Sequence, residues 1–179
     1  MLFVDIARAL LDIFGSLLIG LVLLRVWAAA IGMPARNPLA HFARALTDWL
    51  VKPLARIVPS RGRIEWTALL AALIATAIIV AAKRALFGLP FAVDAVVLGS
   101  VVQLINWALT LIIWVTLIHV VISWVNPLAP VAPALSMLLR PLLGPIQRIV
   151  PAIGGIDLSP MLLLIAVYLL QIVLSRVVF

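Results

Sequence analysis

Long apolar runs alternate along the chain with short stretches rich in proline and charge. The first run, about residues 9–31, is long enough to cross a bilayer at 1.5 Å per residue and stops at Gly32-Met33-Pro34. Residues 37–59 carry a different pattern: Leu39, Phe42, Leu46, Trp49 and Leu50 gather on one helical face, and His41, Arg44, Asp48 and Lys52 on the other. A helix of this kind lies in the membrane interface rather than through it. A second uncharged run, residues 66–82, is closed by Lys83-Arg84 and Gly88-Leu89-Pro90. Residues 91–125 are too long for one span of about 20 residues. They divide into a short segment, 91–99, and a third span, 100–124. Residues 126–160 hold Pro127, Pro130, Pro133, Pro141, Pro145 and Pro151, which argue against one long helix. Ser159-Pro160 then reads as the cap and first residue of a fourth span, 161–178.

The pattern predicts an all-α membrane protein. Four transmembrane helices form two parallel span–connector–span repeats, 1–90 and 91–179. Their connectors, 37–59 and 126–160, are amphipathic or proline-broken and interfacial. The repeat is visible in the residues: Arg56-Ile57-Val58-Pro59 recurs as Arg148-Ile149-Val150-Pro151, and Asn37-Pro38-Leu39 as Asn126-Pro127-Leu128. Glu65 stands against Asp157, and Trp27 against Trp124. Two spans separate the start of one half from the start of the other, so both begin on the same side and the logic of inverted-repeat transporters does not apply.

Composition sharpens this picture. The 179 residues are 66% hydrophobic and 11% charged, far from a soluble domain. Cysteine is absent, which excludes disulfides and thiolate chemistry. The net charge is +7, and in so apolar a chain it points to anionic lipid headgroups rather than nucleic acid. Asp5 and Asp12 beside Arg8 spoil the basic start of a signal peptide, so the first apolar run is read as retained.

The second half, with Ser123-Trp124, Asn126-Pro127, Arg140-Pro141, Arg148-Ile149-Val150-Pro151 and Gly154-Gly155-Ile156-Asp157-Leu158-Ser159-Pro160, resembles the YggT family, also called YlmG. The first half resembles it too, with Trp49 where the second has Pro141 and Gly62-Arg63-Ile64-Glu65 in place of Gly-Gly-Ile-Asp. The resemblance implies a multipass bacterial inner-membrane protein without an established catalytic activity. It also implies links to osmotic-stress tolerance, to division or nucleoid organisation, and to membrane-complex assembly in plastids.

No nucleophile–base pair, phosphate loop or metal-ligand spacing stands out, so neither catalysis nor a cofactor is expected. Gln103, Asn106 and Thr110 form a polar stripe on the third span, suited to interhelical hydrogen bonding or to a solute path. Thr116, His119 and Ser123 form a second stripe, with His119 expected as a hydrogen-bonded structural histidine ahead of a pH sensor or a haem ligand. Arg25 is expected to snorkel to the interface, and Asp12 needs a partner from another helix or is protonated. Arg56 and Arg148 either bind lipid phosphate or pair with Glu65 and Asp157, nine residues on in each half. Eight basic residues in the connectors (Arg36, Arg44, Lys52, Arg56, Arg61, Arg63, Arg140, Arg148) stand against four on the other side of the membrane (Arg8, Lys83, Arg84, Arg176), which places the connectors in the cytoplasm. The expected function is a non-enzymatic membrane scaffold or assembly factor; the alternative is a small channel or transport component answering osmotic stress. The expected partners are membrane lipids with anionic headgroups and a protein in the membrane, either a second copy of the chain or another.

Overall fold

The structure, a computed structural model, describes residues 2–60, 62–150 and 157–177. Six helices follow in order: α1 (Leu2–Ala30), α2 (Pro38–Ala55), α3 (Trp66–Leu86), α4 (Val93–Val125), α5 (Ala132–Ile149) and α6 (Ser159–Val177). Four of them, α1, α3, α4 and α6, are long and apolar enough to cross a membrane. Each half therefore runs long helix, 18-residue connector helix, long helix.

Stop and start signals act where the sequence places them. At the end of α1, Gly32 takes φ +72°, its N–H bonds Ala29 O, and Met33 N–H reaches back to Ala28 O. At the end of α3, Gly88 takes φ +64° and the same pair of bonds forms to Ala85 O and Arg84 O. This double closure satisfies carbonyls that no later turn can reach, and its left-handed residue favours glycine. Asn37 caps α2, its side-chain oxygen accepting Leu39 N–H at 3.0 Å, with Pro38 at the first helical position.

Two expectations are corrected. The division of residues 91–125 does not exist: α4 is one helix of 33 residues, about 50 Å long, because Gly99 stays helical where its neighbours hold it. A side chain at Gly99 would meet Val80 Cγ1 at 3.3 Å, so this glycine serves close packing on α3 and not a break. The proline-broken second connector is instead the continuous helix α5, with Pro141 and Pro145 inside it. Both prolines lie on its exposed side, so the carbonyls they leave unbonded, those of Met137 and Pro141, are not sealed in the core.

Helix α4 is the hub, packing on α1, α3, α5 and α6, whereas α6 packs on α4 and α5. One apolar cluster joins α1 and α3 through Ile19, Val22, Ala68, Ala71 and Ala72, with Trp107 of α4 and Val51 of α2. A second draws on both halves, with Ala40 and Ala43 of α2, Leu135, Leu138 and Leu139 of α5, and Leu163 and Val167 of α6. The small residues of α2 face the bundle, which leaves Phe42, Leu46 and Trp49 exposed on a separate face.

Candidate functional site

The connector side of the first half is built around Arg25, near the C-terminal end of α1. Its Nε donates to Glu65 Oε2 at 2.5 Å, and its Nη1 to Asp48 Oδ1 at 2.7 Å and Thr47 Oγ1 at 3.2 Å. Arg44 Nη2 holds the second oxygen of Glu65 at 3.2 Å, and Lys52 Nζ the second oxygen of Asp48 at 2.9 Å. One guanidinium thus ties α1 to α2 and to the residue that opens α3. The Arg25 side chain is only 11% exposed, so it is paired inside the joint instead of snorkelling. Lys52 holds the Asp48 carboxyl below its ordinary range; burial opposes this, and Arg25 adds to it.

Glu65 is free for this role because another group caps α3. Ser60 Oγ accepts Thr67 N–H at 3.0 Å, and Thr67 Oγ1 donates to Val58 O at 2.5 Å. In the second half the acid itself is the cap: Asp157 Oδ1 accepts Ser159 N–H at 2.8 Å and Oδ2 takes Gln147 Nε2 at 2.8 Å. Asp157, and not Ser159, supplies the capping oxygen. Burial raises its pKa, but the hydrogen bonds from Ser159 and Gln147 and the nearby His119 outweigh that and leave it lowered.

The expected arginine–acid pairs across the turn do not form. Glu65 pairs with Arg25 and Arg44 and not with Arg56, and Asp157 meets Gln147 in place of Arg148. Among the described residues Arg36, Arg56, Arg63, Arg140 and Arg148 make no ion pair, and all five are exposed. Asn37 and Asn126 are also not equivalent: Asn37 opens α2, while Asn126 ends α4, its N–H on Ile122 O. At the opposite end of the first half, Asp12 finds the partner it needs in Lys83 of α3, with Arg8 one turn away at 3.9 Å. Lys83 Nζ also lies 6.0 Å from the Trp107 ring centre.

The polar stripe of α4 meets a residue that the sequence reading did not single out. Gln171 of α6 donates through Nε2 to Thr110 Oγ1 at 3.0 Å and lies 3.5 Å from Asn106 O. Gln103, Asn106, Gln171 and Ser175 line a cleft of about 180 Å³ between α4 and α6. Gln171 is the only amide in the uncharged run 161–175, which was its signal. Thr116 bonds back to Ile112 O at 2.7 Å, as span hydroxyls commonly do, and His119 Nδ1 is buried without a hydrogen-bond partner among the described residues. On the other flank, an apolar groove of about 380 Å³ runs between α1 and α4, edged by Leu17, Phe42, Trp107 and Trp114. Among the described residues no group of three or more His, Cys, Asp and Glu is placed to hold a metal ion.

The model of the CCB3/YggT family matches the chain twice, over residues 4–86 and 98–178, one match for each helical triplet. The chain belongs to the CCB3/YggT family. It is 32% identical to the uncharacterized protein YggT of Escherichia coli (strain K12) over 157 residues, covering 87% of this chain and 82% of the relative. An uncharacterized Vibrio alginolyticus protein from the proC 3' region is 32% identical over 170 residues, covering 91% and 90% of the two chains. An uncharacterized Haemophilus influenzae protein is 30% identical over 144 residues, covering 80% and 77%. No solved structure matches the chain. The names of these YggT-family relatives indicate no catalytic activity.

Proposed function

We propose that this YggT-family protein is a non-enzymatic scaffold or assembly factor of the bacterial inner membrane, docking anionic lipid and a membrane-protein partner on its connector face. The observation that carries the reading is the five exposed connector arginines that make no ion pair among the described residues, together with the exposed apolar face of α2. Charge is lopsided across the spans. The connector side has nine cations against three acids, or +6, and the other side four against three, or +1. That bias orients the connectors to the cytoplasm, where anionic headgroups attract juxtamembrane arginine by about 1 kcal/mol each. The ionic joint at Arg25 holds α2 at a fixed angle, so its aromatic face and the cations present one surface. A role in osmotic-stress tolerance or cell division is the process such a platform would serve.

The test is thermal unfolding of the purified protein in neutral detergent with added phosphatidylglycerol or phosphatidylcholine. Phosphatidylglycerol should raise the Tm and phosphatidylcholine should not. The triple variant Arg56→Gln/Arg140→Gln/Arg148→Gln should bind phosphatidylglycerol on the order of a hundredfold more weakly. Equal stabilisation by both lipids would remove the basis for the reading.

A small channel or transport component is the second reading, favoured by the α4–α6 cleft. The first half offers no path, since the space between its two ionic ends is filled by Ile19, Val22, Ala71, Ala72 and Trp107. Ion flux in liposomes holding only this protein, and lost on Asn106→Leu, would establish it.

A further inference from the structure

The side-chain amides between α4 and α6 are only partly satisfied among the described residues. Gln171 spends its Nε2 on Thr110 and Asn106, but among the described residues its Oε1 receives no hydrogen bond. The side-chain amides of Gln103 and Asn106 make no hydrogen bond at all among those residues, and both edge the cleft. Gln171 stands twelve residues into α6, so these groups lie about 18 Å from its connector end, within a hydrocarbon layer of about 30 Å. An unsatisfied amide there is costly, and lipid tails have nothing to offer it. All four spans among the described residues are already placed, and a polar face on another molecule could complete these groups.

We propose that the α4–α6 cleft is the docking face for a second copy of this chain, with Gln103, Asn106 and Gln171 bonding across a twofold axis. A primary amide both donates and accepts, so a patch of amides is its own complement when rotated onto itself. Asparagine and glutamine are known glue between membrane helices. Helix α6 packs only on α4 and α5 among the helices in substantial contact, which leaves the side of the cleft that it forms open to a neighbour. Gly99 and Ser175, at the same end of the cleft, keep its rim low enough for close approach.

The cysteine-free sequence allows single-cysteine variants of the full chain to be tested directly. Ser175→Cys and Gln103→Cys, reconstituted at low protein-to-lipid ratio in phosphatidylethanolamine–phosphatidylglycerol vesicles, should give a dimer-sized product with a short bis-maleimide. Trp114→Cys, on the apolar groove of the other flank, should not. Adding Gln103→Leu and Asn106→Leu to Ser175→Cys should lower the cross-linked fraction about tenfold, from the loss of several intermembrane-helix hydrogen bonds. A helical circular-dichroism spectrum and a thermal transition like those of the parent show that the double variant is folded. A chain that stays monomeric at every ratio, cross-linking equally through Trp114→Cys, or a double variant that cross-links like its parent overturns the proposal.

Discussion

Arg25→Ala should unfold at a temperature roughly 6–12 °C below the parent, the shift that about 3 kcal/mol produces in a protein of this size. The guanidinium is shared by two carboxylates and one hydroxyl contributed by α2 and by the residue opening α3. Removing one member of a buried pair leaves the other charge uncompensated, which costs about 3–5 kcal/mol. The lower end applies here, because Arg44 still holds Glu65 and Lys52 still holds Asp48. Arg25→Lys should fall between parent and alanine, since one ammonium cannot fork to both acids. Arg56→Ala is the informative control: that side chain is exposed and makes no ion pair among the described residues, and its loss should change stability by no more than about 0.5 kcal/mol, a Tm shift of about 2 °C at most. Acid should open the same joint. The folded Asp48 pKa lies below its ordinary 3.8, so its contribution is complete above that value and is lost as the pH falls through the lower folded value. Thermal unfolding in detergent across pH and across these three variants checks all of it; an Arg25→Ala protein as stable as Arg56→Ala would mean that α2 is held by its buried Ala40, Ala43 and Val51 alone.

That control marks where sequence reasoning stopped. The four spans, the Asn37 cap, the ends at Gly32 and Gly88, and the amphipathic α2 could all be read, because each depends on residues within a few positions of one another. The ionic joint could not. Arg25 is 23 residues from Asp48 and 40 from Glu65, and only the packing of three helices makes them neighbours. The repeat misled in a specific way. It set Arg56 and Arg148 in matching places beside matching acids, yet the halves solve the problem differently. The first closes its joint with charge, whereas α5 buries Leu135, Leu138, Leu139 and Leu143 and uses its acid as a helix cap. Proline count misled as well, since Pro141 and Pro145 sit where α5 faces outward and the carbonyls they leave free are not sealed in the core. Gln171 was legible in principle, as an isolated amide in an apolar run, but only the fold shows that it faces Thr110.

The second large effect arises at Gly15 of α1, the glycine with the tightest surroundings among those described. A Cβ there would come within 2.9 Å of Trp107 Cη2 and 3.0 Å of Ile79 Cδ1, so α1 meets α4 and α3 at this point through the absence of a side chain. Ile79 can move a terminal methyl. Trp107 cannot move cheaply, for it is a rigid ring, 5% exposed, wedged among the spans with Lys83 over its face. Alanine in a helix interior gains about 1 kcal/mol over glycine. Overpacking against a fixed ring costs about 1–3 kcal/mol, so the clash should win and Gly15→Ala should destabilise. Gly15→Leu should do more, prising α1 from α4 and exposing Trp107, which its fluorescence would report. Gly20, one turn and a residue further along the same helix, has nothing within 4 Å of its own hypothetical Cβ. Gly20→Ala should therefore keep the propensity gain without the clash, and unfold no earlier than the parent. The opposite signs at two glycines of one helix separate packing from propensity. Two alanine variants that shift the Tm in the same direction would show that Gly15 does not meet Trp107 as described.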